Sequence, residues 1–198
     1  GLDTFCRRNK GTAVYCHEDC LGSLYHKLGE ARKKLIAVGG DFFIGDVTVS
    51  PFRVSHDVPC VGYSILSGGK KVTVATDIGK MPQKLLESVA DSDLMVLESN
   101  HDEVLLKNNR AYSPYLKKRI LSDKGHLSNA ACAECVAYLA CRGVKQVVLA
   151  HLSRENNYPE LAFETCKNYL CSRGLCEGRD IRLEVAQADR MSSLFEIV

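Results

Sequence analysis

Val74-Ala75-Thr76-Asp77 reads as the end of a β-strand that stops on a carboxylate. Three further segments take the same form: Val54-Ser55-His56-Asp57, Lys124-Gly125-His126-Leu127-Ser128 and Val148-Leu149-Ala150-His151. A polar group just past an apolar strand is held by a rigid element and points out of the end of a sheet. That is where a preorganised metal site can be built. A single such residue is ordinarily a hydrogen-bonded structural group. Their recurrence, in alternation with helical segments, is what points to a site.

Outward from these segments, the first half of the chain is strand-rich. Residues 12–16 predict a short strand, and 17–35 a helix with small or apolar residues at Leu21, Leu24, Leu28 and Ala31. Residues 42–44 and 47–54 flank the turn signal Gly45-Asp46, and 61–66 and 72–76 flank a second glycine-containing turn. Residues 81–89 predict a helix with Pro82 in its first turn, and 93–98 a buried strand. Helices are expected at about 101–107, 114–122, 128–142 and 159–172, and strands at 146–150, 181–185 and 194–198. Hairpins followed by alternating helices and strands predict a layered α/β fold. With no internal repeat, low-complexity segment or long linker, residues 1–198 are expected to form a single domain.

The net charge of +2 is low for a sequence-independent nucleic-acid binder. A local basic patch, Lys117-Lys118-Arg119, lies seven residues before His126, where it is expected to face phosphate. The apolar runs are too short to span a bilayer, and residues 1–10 carry Arg7, Arg8 and Lys10 with no signal-peptide core. A cytoplasmic location is expected. The ten cysteines lack paired zinc-ligand spacing. Cys132 and Cys135 share a helix face, where a thiol serves as a small buried apolar group. Reduced thiols suit a reducing compartment.

The order Ser55-His56-Asp57, Ala75-Thr76-Asp77-Ile78-Gly79, Leu97-Glu98-Ser99-Asn100-His101-Asp102, Gly125-His126-Leu127-Ser128-Asn129 and Ala150-His151-Leu152-Ser153-Arg154-Glu155-Asn156-Asn157 resembles the metallo-β-lactamase fold. Within that superfamily it is similar to the YycJ (WalJ) branch, related to RNase Z-type enzymes. The resemblance implies an α/β, four-layer αββα sandwich and a metal-dependent hydrolase of phosphodiester bonds, a DNA exonuclease-like enzyme acting on nucleic acid. It implies two divalent ions, Zn or Mn. His56, Asp77 and His151 match metal ligands, with Asp77 bridging. His126 matches a catalytic histidine beside the phosphate, and Glu98 a carboxylate that orients it. Ser128, Asn129, Lys117 and Arg119 are expected to bind substrate.

The fold's His-x-His-x-Asp-His motif is absent from the sequence. Residues 1–9 resemble the helix that follows it, so the resemblance implies a family member lacking its N-terminal part, with an incomplete sandwich. The other histidines sit at unrelated spacings: His17 and His26 are expected on an exposed helix surface, and His101 just past a strand end beside the site. Two alternatives stand beside the nuclease reading. One is a small-molecule metallo-hydrolase acting on a cyclic phosphodiester or thioester. The other is a non-catalytic fragment, because of the absent motif.

Overall fold

The computed structural model of this chain describes residues 2–25 and 35–197. After the short helix α1 (Leu2–Arg8), the strand β1 (Val14–His17) and a 3-10 turn (Glu18–Cys20), the chain forms α2 (Leu21–Tyr25) and β2 (Leu35–Val38). β1 and β2 pair in parallel as a two-stranded sheet.

The main sheet has seven strands in chain order: β3 (Phe42–Ile44), β4 (Val47–Arg53), β5 (Val61–Ser67), β6 (Lys70–Ala75), β7 (Leu94–Glu98), β8 (Gln146–Ala150) and β9 (Arg182–Val185). In the antiparallel half, tight hairpins join β3 to β4 and β5 to β6, while the loop 54–60 joins β4 to β5. Gly45 and the Gly68-Gly69 pair hold φ of 63°, 57° and 77°, a left-handed region that favours glycine. From β6 onward the strands are parallel, and each crossover is helical. α3 (Gln83–Val89) links β6 to β7. α4 (Glu103–Asn108), α5 (Pro114–Ile120) and α6 (Asn129–Cys141) link β7 to β8, and α7 (Pro159–Ser172) links β8 to β9.

Register decides which face meets the helices. Thr73, Met95, Val147 and Leu183 form one cross-strand row, and Ala75, Leu97, Leu149 and Val185 the next. These rows meet Leu86 and Val89 of α3, Val136 and Leu139 of α6, and Ala162, Cys166 and Leu170 of α7 in the core. Each buried leucine contributes about 1.5–3 kcal/mol by leaving water. The expectation for the cysteines is visible here. Burial pushes the Cys135 and Cys166 thiols up to about 12, so they pack as inert small apolar groups.

The opposite face carries β1 and β2. Tyr15 stacks on Phe42 with ring centroids 5.0 Å apart, Cys20 Sγ donates to Pro59 O at 3.3 Å, and Arg53 pairs with Asp19 at 2.6 Å.

The structure differs from the sequence expectations in three places. No helix spans 17–25 continuously: β1 runs through His17, whose Nδ1 accepts the Asp19 amide and caps the 3-10 turn. His17 is therefore buried rather than on an exposed helix surface, and Leu35 opens a strand. His26 lies outside the described residues. Residues 194–197 form no strand; side chains tether this tail instead, with Arg182 over the Phe195 ring and Ser193 bonded to Glu184. No strand ends at His126. It sits in a turn between α5 and α6, where its amide donates to Ile120 O at 3.0 Å. Among the described residues, no helix is long and apolar enough to cross a membrane.

Candidate functional site

β4 and β6 are both antiparallel to β5, so β4 runs in the direction of β6, β7 and β8. The carboxyl ends of all four strands open on one edge, the position where open α/β sheets build their sites. His56 follows β4, Asp77 follows β6, Glu98 ends β7 and His151 follows β8. Asp77 and His151 hold φ of 57° and 58° without being glycine. Such strain costs roughly 1–2 kcal/mol per residue and concentrates at functional positions.

The side chains converge on Asp77. Its Oδ1 lies 3.7 Å from His56 Nε2, 3.8 Å from His126 Nδ1 and 3.8 Å from His151 Nδ1. The three imidazoles form a row, with ring centroids 5.1 Å apart for His56–His126 and 5.3 Å for His126–His151. Asp77, Glu98, His126 and His151 each offer an atom within 4.8 Å of the others, a donor set with the chemistry of a divalent-metal site.

Glu98 ties this set to the sheet. It is fully buried. Its Oε1 accepts His126 Nδ1 at 2.8 Å and His151 Nδ1 at 2.6 Å, and its Oε2 accepts the Ile78 amide at 2.6 Å. Burial alone would raise its pKa, but the hydrogen bonds from His126, His151 and Ile78 outweigh it and hold the carboxyl below its ordinary value. The same bond to Glu98 raises the pKa of His151 against the opposing effect of burial. Glu98 is thus a saturated acceptor that fixes the orientation of two imidazoles, the relation a carboxylate bears to metal-ligating histidines.

Two glycines let the loops meet. A Cβ on Gly79 would lie 2.4 Å from Gly125 N, and one on Gly125 would lie 2.1 Å from Ile120 O. This close approach lets Gly125 O accept His56 Nδ1 at 3.0 Å while Ser55 O accepts the Gly79 amide at 2.8 Å.

The site opens into a cavity of about 420 Å³ whose walls include Tyr112, Leu116, Arg119, Ile120 and Ser153. Arg119 stands at this rim, its Nε bonded to Asp57 Oδ2. That bond lowers the Asp57 pKa. Lys117, expected to bind substrate, instead donates to Lys107 O at 2.6 Å and lies outside the cavity wall. Ser128 and Asn129, also expected to bind substrate, are engaged within the protein. Both are buried. Ser128 Oγ caps α6 by accepting the Ala131 amide, and Asn129 bonds Ser99 and Asn157. His101 is buried, and neither ring nitrogen has a hydrogen-bond partner among the described residues; burial depresses its pKa.

Sequence reasoning gave no role to Asp57, Tyr112, Asn100 or Asn157. Asn100 Nδ2 donates to His151 O at 2.8 Å, and Asn157 Nδ2 donates to Ser99 O at 2.8 Å and Asn100 O at 3.1 Å. The adjacency of Asn100, Asn156 and Asn157 to the strand-end residues was the available signal.

The sequence profile described as beta-lactamase superfamily domain matches residues 1–152. The chain is 34% identical over 196 residues to exodeoxyribonuclease WalJ of Streptococcus pneumoniae D39, covering 96% of this chain and 72% of that protein. It is 32% identical over 169 residues to exodeoxyribonuclease YycJ of Bacillus anthracis, covering 83% of this chain and 64% of that protein. The Zn²⁺-bound crystal structure of PqqB from Methylobacterium extorquens shares the fold, with a TM-score of 0.66 at 17% identity, over 94% of this chain and 63% of that one. A seven-stranded sheet backed by helices, a polar cluster at its carboxyl edge and these matches together make the chain a member of the beta-lactamase superfamily, with the metallo-β-lactamase fold.

Proposed function

We propose that the protein is a metal-dependent phosphodiesterase, a nuclease acting on DNA, with residues 1–198 working as one domain in the cytoplasm. The observation that carries this reading is the convergence of His56, His126 and His151 on Asp77 at the mouth of an open cavity. The likeness to two named exodeoxyribonucleases supports the DNA substrate. The absence of any disulfide among the ten cysteines supports a reducing compartment.

In this reading His56, Asp77 and His151 hold the metal, and neutral imidazoles with a carboxylate suit Zn²⁺ or Mn²⁺. A pair of divalent ions bound there would supply Lewis acidity toward a phosphoryl oxygen. The chain's own residues do the rest. Glu98 accepts the Nδ1 proton of His151, which leaves Nε2 as the coordinating atom. It also accepts from His126 Nδ1, which fixes that ring with Nε2 free to pass a proton to the departing oxygen. Arg119, steadied by Asp57, neutralises the incoming phosphate. Leu116 and Leu152 give the cavity apolar walls that limit water.

The test compares Asp77→Asn and His126→Ala with the parent, in the 198-residue chain and in a chimera supplying a His-x-His-x-Asp-His segment ahead of Gly1. Hydrolysis of bis(p-nitrophenyl) phosphate and of 5′-labelled DNA is measured together with bound metal. Asp77→Asn should lose both metal and turnover, and His126→Ala turnover alone. A chimera that binds metal but cleaves neither diester overturns the reading.

A further inference from the structure

We propose that single-stranded DNA leaves the site through a groove in which Tyr158 stacks a base and Arg154 and Arg190 hold phosphates. This inference rests on the phosphodiesterase reading. The groove measures about 700 Å³ and runs between the loop after β8, the start of α7 and the segment after β9. It is continuous with the site, because His151, Leu152 and Ser153 line both cavities. The groove therefore offers a phosphodiester held at Asp77 a path along which its chain can extend.

The walls have the chemistry of a single-strand path. Tyr158 is half exposed, and its ring stacks on no other aromatic group among the described residues. Arg154 is solvent-facing and, among the described residues, pairs with Asp189 alone, at 3.6 Å. A pair this exposed contributes little, so a phosphate can displace it. Arg190 also lines the groove and has no ion pair among the described residues. An aromatic platform flanked by guanidinium groups is how proteins hold unpaired bases without reading sequence. A volume in the range of small-ligand clefts admits a nucleotide or two, not a duplex. In a duplex the bases are stacked on each other and offer Tyr158 no face.

The surface also says where the path stops. Beyond Arg190, a neighbouring cavity of about 610 Å³ is lined by Glu160, Glu164 and Glu184. Carboxylates there repel a phosphate backbone, so the strand's footprint ends near Arg190.

The experiment uses the 198-residue chain in EDTA, with fluorescein-labelled (dT)12 followed by anisotropy between 50 and 200 mM salt. Tyr158→Ala should weaken binding about 10-fold, and Tyr158→Phe should bind as the parent does. The Arg154→Ala/Arg190→Ala double variant should reduce the log–log salt slope by about 1.4, the value for two phosphate contacts on a single strand. Asp189→Asn should tighten binding. A (dT)12 carrying 5-iodouracil should photo-crosslink at Tyr158. Parent-like affinity and salt slope in both alanine variants, or no binding of (dT)12 at all, overturns the groove. Bis(p-nitrophenyl) phosphate is too small to reach Tyr158. Its failure to be hydrolysed would therefore count against the phosphodiesterase reading, while Tyr158-dependent DNA binding would still uphold the groove.

Discussion

Glu98 accepts His151 Nδ1 at 2.6 Å from a position with no solvent exposure, while His151 itself is partly open to solvent. That bond helps, with those from His126 and Ile78, to hold the carboxyl down against burial, and it moves the imidazole up. For the metal-free protein this sets a pH window. The depressed Glu98 contributes stability that is complete above its ordinary value of 4.5 and is lost as pH falls through its folded pKa. The raised His151 contributes stability that is complete below its ordinary value of 6.5 and is lost as pH rises through its folded pKa. Melting temperature in EDTA should therefore peak between those values. Glu98→Gln should flatten both limbs and lower the maximal unfolding free energy by about 1–3 kcal/mol, because an amide NH₂ then faces buried donors. A Glu98→Gln profile that keeps the parent's shape would show that the pair does not set the dependence.

Asp77 stands in the left-handed region, where asparagine is among the most tolerant residues. Asp77→Asn keeps the shape and removes a negative charge that, without metal, has Glu98 nearby. Thermal stability in EDTA should be unchanged or slightly higher, by less than about 0.5 kcal/mol. Metal affinity measured by calorimetry should fall steeply, since the proposed bridging carboxylate is gone. A large loss of stability without metal would mean that Asp77 is a structural residue instead.

The strands that carry the site were legible because their apolar runs are nearly continuous. Leu94-Met95-Val96-Leu97 and Val147-Val148-Leu149-Ala150 can only be buried, and each is followed by a polar residue that a parallel sheet brings to one edge. The convergence of His56 with Asp77 was legible only through resemblance, since it depends on two hairpins returning β4 to the direction of β6. The helix expected over 17–35 starts too early, because a period-3.6 pattern in a short window cannot register that His17 is consumed as a cap; residues 26–34 lie outside the described residues. The substrate-binding expectation for Ser128 and Asn129 rests on an ambiguous signal. A Ser-Asn pair opening a helix has the same sequence whether it meets a ligand or satisfies the helix's own amides. Arg119 was found by proximity in sequence to His126, whereas its partner Asp57 lies 62 residues away.

Gly125 offers the sharpest packing test. Its added Cβ would strike Arg119 O at 2.3 Å and Ile120 O at 2.1 Å, both backbone atoms with nowhere to go. Gly125→Ala should cost at least about 1–3 kcal/mol, the range for overpacking. Its carbonyl also accepts His56 Nδ1, and its neighbour is His126, so the forced shift moves two site imidazoles. Loss of metal affinity should accompany the drop in melting temperature. Gly178→Ala makes a control: it holds φ 83° with open space around it, so it should be strained locally and leave metal binding intact. Equal effects on metal binding from both substitutions would refute the close-approach argument.

His126 occupies the middle of the imidazole row, 5.1 Å from His56 and 5.3 Å from His151 by ring centroid, so geometry alone does not separate ligand from proton donor. The bond to Glu98 is shared with His151 and does not separate them either. The two roles differ in what removal does. As a proton donor, His126→Ala should lower turnover of bis(p-nitrophenyl) phosphate by about 10²-fold or more in a catalytically active chimera, with metal content unchanged. Parallel loss of metal and turnover would assign His126 to the metal instead.

Finally, the 198-residue chain itself should bind divalent metal weakly and turn over generic diesters poorly. The proposed ligands are His56, Asp77 and His151, and Glu98 is already spent on His126, His151 and the Ile78 amide. No His-x-His-x-Asp-His stands in the sequence to complete the donor set. Fewer ligands mean less binding free energy, and competition with protons grows because each imidazole must be neutral to coordinate. The raised pKa of His151 sharpens that competition, so affinity should climb as pH rises through and above 6.5. Measured by calorimetry with Zn²⁺ and Mn²⁺, the chain should show substoichiometric or weak binding that tightens with pH. The chimera carrying the upstream motif should bind two equivalents. Two tight equivalents in the 198-residue chain, with vigorous hydrolysis of bis(p-nitrophenyl) phosphate, would mean that residues outside the cluster complete the centre and that the ligand assignment is wrong.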